Sequence, residues 1–127
     1  MKTLILISRI LLGLIFLVIG LNGFLNFIPA PAPTGIAGQY VGALFVSHYL
    51  AVVFALELVA GVLLLTDRFV RAALVILAPI LVNIVLFHAF MAPAGYAPAA
   101  IAVALWLVLF YQERAVFSTL LAAKGTV

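Results

Sequence analysis

One carboxylate, Glu57, sits inside the apolar run FALELVAG, and no other Asp, Glu, Lys or Arg lies between Ile10 and Thr66. The polar side chains able to join it are Asn22, Asn26, His48, Asn83 and His88, with hydroxyls from Tyr40 and Tyr49. A carboxyl group can hold or relay a proton, an amide orients a carbonyl or hydroxyl, and an imidazole does either. Such a set suits hydrogen bonding to the polar head of a small molecule. It does not suit thiol chemistry: the chain has no cysteine, which excludes disulfides, thiolate nucleophiles, iron–sulfur clusters and cysteine zinc sites. His48, His88 and Glu57 make no metal set, because Glu57 lies too far below the two histidines. Bis-histidine haem ligation by His48 and His88 has no motif behind it, and both lie shallow for a haem in a small bundle.

The elements that position these residues follow from composition. The 127 residues are 69% hydrophobic and 7% charged, in long uninterrupted apolar stretches, which is the composition of a membrane protein. A net charge of +3, dispersed along the chain, leaves no nucleic-acid footprint. A spanning helix needs about 20 mostly apolar residues. Four segments qualify as spans: Leu4–Phe27, His48–Leu65, Phe69–Met91 and a shorter Ala97–Tyr111. Residues 28–47 form an outer loop, in which the proline-rich IPAPAPTG precedes a short interfacial helix over Ile36–Ser47. Residues 112–127 form a tail, in which Val116, Phe117, Leu120 and Leu121 suit a helix lying on the membrane. Ala30-Pro31-Ala32 imitates a signal cleavage site. The preceding run, however, exceeds the about 7–15 apolar residues of a signal, and Pro33 sits directly after the cut, so the first segment reads as a retained helix.

Lys2, Arg9, Arg68, Arg71, Arg114 and Lys124 all fall on one side if the four spans alternate. The positive-inside rule then places both termini in the cytoplasm. The expected fold is an all-α integral membrane protein, one antiparallel four-transmembrane-helix bundle, N-in and C-in.

Glu57 lies ten residues before Asp67, roughly 15 Å from the cytoplasmic turn and near the bilayer midplane. An ionisable group at that depth costs on the order of 3 kcal/mol to insert, so it must face the protein interior. Side chains lean toward their helix N-terminus, so Glu57 on the second span and Asn83 on the third converge if they share a face. With no cation at this level, Glu57 is expected to keep its proton and to bond Asn83 or water. Pro79 removes a backbone donor one turn before Asn83 and is expected to bend the helix and open a cavity there. Asn22, Asn26, His48 and His88 lie farther out, so the whole set reads as a polar funnel open to the outer side, with Glu57 as its floor.

Other residues have structural readings. Arg9 should snorkel to cytoplasmic headgroups. Asp67, Arg68 and Arg71 should cap and anchor a hairpin. Gly13, Gly20 and Gly23 on the first span, and Gly61 one turn after Glu57, should let helices approach closely. For the asparagines, interhelical glue competes with ligand contact, and for the histidines a place at headgroup level does.

Three stretches resemble the DoxX-like family of small four-helix membrane proteins: GLIFLVIGLNGFLNFIP, ALELVAGVLLL with Glu57 and Gly61, and LAPILVNIVLFHAF with Pro79, Asn83 and His88. Gly23 stands where relatives often carry a lysine. The resemblance implies a bundle in a bacterial-type cytoplasmic membrane, some relatives being membrane subunits of thiosulfate:quinone oxidoreductase. With no cysteine and no redox motif, this chain would join electron transfer by holding a quinone or a partner subunit rather than as an enzyme alone. The leading expectation is therefore a subunit or accessory protein of a quinone-linked oxidoreductase system. It would bind a quinone or similar amphiphile through Glu57, Asn83, His88, Asn22, Asn26 and His48, with Glu57 as proton relay. The competing expectation is a structural or assembly subunit of a larger membrane complex with no ligand of its own, and the sequence leaves the oligomeric state open. A small transporter is weaker, since inverted repeats and broken helices are not evident.

Overall fold

A computed structural model describes residues 1–125, which are all-helical with no strand among them. Helix α1 runs over Lys2–Leu25. It stops at Asn26, whose left-handed φ of 52° lets its N–H donate to the Asn22 carbonyl, and the prolines that follow cannot resume it. Helix α2 spans Gly35–Val46 and α3 spans Tyr49–Leu65. Between them His48 adopts a φ of 65°, and the two helices meet at an angle of 83°. Asp67 and Phe69, with φ of 55° and 53°, make the next reversal. Helix α4, Val70–Phe90, continues through Pro79. A 3₁₀ turn over Pro93–Gly95 leads to α5, Tyr96–Gln112. A short α6, Arg114–Phe117, and a second 3₁₀ turn over Ser118–Leu121 close the described chain.

Three helices, α1, α4 and the Pro93–Gln112 segment, are long and apolar enough to cross a membrane, and α2 with α3 makes a fourth if that bent pair is one span. Large apolar side chains face outward along their length, Leu11, Val52, Val82 and Ile101 among them. Such a surface belongs in a bilayer. The chain is a membrane protein.

Among lipid tails no hydrophobic force separates helix from solvent, so close backbone approach and dispersion must hold the helices together. The pair α1 and α3 packs most extensively, and antiparallel. A Cβ built on Gly61 would stand 2.8 Å from the Leu17 nitrogen and 2.9 Å from the Gly13 carbonyl oxygen; one built on Gly20 would stand 2.9 Å from that of Phe54. Leu12, Phe16, Ala60 and Leu64 are fully buried in this seam. Helix α5 packs on α1 and α4, while α4 also packs on α3. The Trp106 indole N–H donates to the Leu74 carbonyl at 3.0 Å, tying α5 to α4.

One expectation is corrected. Arg9 does not reach out to headgroups: its guanidinium donates to the carbonyls of Leu64 and Leu65 at the end of α3, and its side chain is only 13% exposed. The last carbonyls of a helix lack intrahelical donors and carry partial negative charge, so they compete well for a cation one turn inside the neighbouring helix. In the tail Phe117 turns inward, stacking on Phe110 at 5.2 Å, which stacks on Trp106 at 5.1 Å, while Val116, Leu120 and Leu121 are exposed.

Candidate functional site

Between α2, α3 and α4 lies a cavity of about 330 Å³, within the size range of small-molecule pockets. Its walls are mainly apolar, with Leu50, Val53, Ile84 and Phe87 among them, and its polar groups are Glu57, Asn83, His88, Tyr40 and Tyr49. Pro79 lines it beside Glu57. Proline supplies no N–H at that turn, which leaves the Val75 carbonyl without its usual helical donor.

Glu57 is 4% exposed, and its Oε2 has no hydrogen-bond partner among the described residues. Buried polar atoms are normally paired, so an unpaired one on a cavity wall demands an explanation. The expected partner is engaged elsewhere: the Asn83 Oδ1 accepts a long bond of 3.5 Å from the Tyr40 hydroxyl. Tyr40 comes from α2, which the corner at His48 turns nearly at right angles to α3, and its ring lies 5.8 Å from that of Phe87 on α4. This wall is the part of the site that sequence reasoning gave least weight. Its signal was a lone tyrosine in a loop helix, a residue equally at home at a membrane interface.

His88 sits at the end of the cavity next to the Pro93–Gly95 turn. Its Nδ1 lies 3.0 Å from the Ala92 carbonyl oxygen, which can only accept, so that nitrogen carries a proton and Nε2 is the ring nitrogen left for a ligand, an acceptor when the ring is neutral. The ring lies against Gly95, where an added Cβ would come within 2.7 Å of Cε1. A glycine is therefore required there for the histidine to keep this pose.

Asn22, Asn26 and His48 do not line this cavity. Each serves chain reversal instead. The Asn22 Oδ1 accepts the Ile28 N–H at 2.7 Å, Asn26 closes α1 in the left-handed conformation, and exposed His48 makes the α2–α3 corner. The funnel is thus narrower than six polar residues, and α1 contributes nothing polar to it.

The opposite end of the molecule carries charged groups. A larger cavity of about 620 Å³ is bordered there by Arg9, Asp67, Arg71, Gln112 and Glu113. Arg71 Nε donates to Glu113 Oε2 at 2.5 Å, and Arg9 Nε stands 3.6 Å from Asp67 Oδ1. These residues come from three separate stretches of sequence, and only the packing of α1, α4 and α5 assembles them. No group of three or more His, Asp or Glu among the described residues is arranged to hold a metal ion.

No family model, no curated protein and no solved structure matches this chain. The chemistry of the cavity is therefore argued from its own groups.

Proposed function

We propose that the chain is a DoxX-like four-helix membrane bundle with both termini in the cytoplasm. In this reading it binds a quinone or a similar amphiphile in the cavity between α2, α3 and α4, as a subunit or accessory protein of a quinone-linked oxidoreductase system. The observation that carries the reading is the unpartnered Oε2 of Glu57, buried on the wall of an otherwise apolar cavity. An amphiphile with a flat apolar body and one or two oxygens supplies both missing components: contacts for the apolar walls and a partner for the carboxyl. Asn83 and Tyr40, joined only by a long bond, can turn toward a second oxygen, and His88 offers an acceptor near the outer end. A carboxyl in this place can pass a proton to or from a bound oxygen. The electrons for any redox step would come from a partner subunit.

Glu57→Leu tests the reading by removing the polar group while keeping an apolar side chain of similar size. Short-chain quinone titrated into purified, detergent-solubilised protein should bind about tenfold more weakly to the variant, the worth of one buried hydrogen bond. Unchanged affinity in a folded variant removes Glu57 from the site. Failure of the wild-type chain to bind, together with recovery of a stoichiometric membrane partner in mild detergent, transfers support to the assembly-subunit reading.

A further inference from the structure

We infer that the charged cavity at the Arg9–Glu113 end is a lipid-headgroup site selective for a zwitterionic phospholipid bearing a primary ammonium, of the phosphoethanolamine type. The inference is independent of the quinone reading. It rests on what the ion pairs leave unused. Arg71 engages Glu113 through Nε alone, so both terminal nitrogens of its fork lack a protein partner among the described residues, and the side chain is 59% exposed. A guanidinium with a free edge matches two oxygens of a phosphate. Asp67 is in the converse state. Its nearest cation, Arg9 Nε, is 3.6 Å away, beyond hydrogen-bond reach, because Arg9 spends its donors on the end of α3. The Asp67 carboxylate thus accepts no hydrogen bond among the described residues and is 69% exposed.

One free anion receptor and one free cation receptor therefore border the same cavity, four residues apart in sequence, with Gln112 beside them. The two arginines and two carboxylates around the cavity balance in charge, so a purely anionic headgroup gains no net attraction there. A zwitterion satisfies both receptors at once. A primary ammonium can donate to Asp67, whereas a trimethylammonium has no N–H to give. The occupant is a membrane lipid rather than a soluble zwitterion because the cavity is also walled by Ile5, Leu6 and Leu109 at the ends of apolar helices, and Leu6 is 48% exposed on that apolar surface.

Native mass spectrometry of the full chain, released from detergent with phosphatidylethanolamine, phosphatidylcholine or phosphatidylglycerol of identical acyl chains, tests the inference. Phosphatidylethanolamine should bind about tenfold more tightly than phosphatidylcholine, the worth of one hydrogen bond to a charged group. Asp67→Asn should erase that difference, and Arg71→Gln should weaken both zwitterionic lipids by a similar factor. Equal binding of the three lipids by the wild-type chain, a preference for phosphatidylglycerol, or an ethanolamine preference that survives Asp67→Asn overturns it. The wild-type comparison stands without any variant, and thermal unfolding checks that each variant is folded.

Discussion

Glu57 is maintained at an energetic disadvantage. A buried carboxyl oxygen without a partner costs about 1–3 kcal/mol, and an apolar side chain of the same size would recover it. Glu57→Leu is accordingly expected to raise the stability of the ligand-free protein by about 1 kcal/mol or more, read as a higher Tm in detergent, while weakening ligand binding. A lower Tm would mean that the carboxyl has a structural partner and no vacancy for a ligand. An acid inside a run of leucine and valine is visible in the sequence, because nothing nearby can solvate it. What the asparagines do is not visible: a side-chain amide within a turn of a helix end serves equally as cap or as ligand. Asn22 and Asn26 proved to be terminators only once the path of the chain from Phe27 to Ile28 was fixed. His48 is harder still, since a histidine in left-handed backbone has no signature of its own.

At the scale of elements, the α1–α3 seam depends on missing side chains. Gly61→Leu would drive a branched side chain into backbone atoms of Leu17 and Gly13 that cannot yield separately from α1. Overpacking of this kind costs about 1–3 kcal/mol, so Tm should fall, whereas Gly42→Leu, with open space around it, should leave Tm unchanged. An equal response at both positions would refute the close approach. Where the helices run was legible from the apolar stretches and from the prolines that break them. Which face each helix presents was far less so. Lipid-facing and buried positions are both apolar, as exposed Leu11 beside buried Leu12 illustrates, so periodicity fades. The break between α2 and α3 was placed at Ser47–His48, but its consequence was missed for the same reason: α2 read as a loop helix at the interface, and nothing in its apolar sequence told that it closes a cavity wall.

For the molecule as a whole, charge distribution is the informative quantity. Arg9, Asp67, Arg71 and Glu113 gather at one end, and all other cations lie in the segments that reach that end. If the cytoplasm lies there, a cysteine introduced at Thr34 should react in intact cells with an impermeant maleimide, and one at Lys124 only after permeabilisation. The absence of native cysteines makes the experiment clean. The reverse labelling would invert the protein in the membrane and with it the side from which the Glu57 cavity is approached. The glycine seam has one more mechanical implication. With backbones in contact at Gly13, Gly20 and Gly61, α1 and α3 form a single stiff plank, a fixed jamb beside the cavity. Whatever widening a guest requires therefore falls to the parts opposite, α2 beyond the corner at Ser47–His48 and α4 around Pro79, and crosslinking these two should slow entry and exit alike without altering the equilibrium between them.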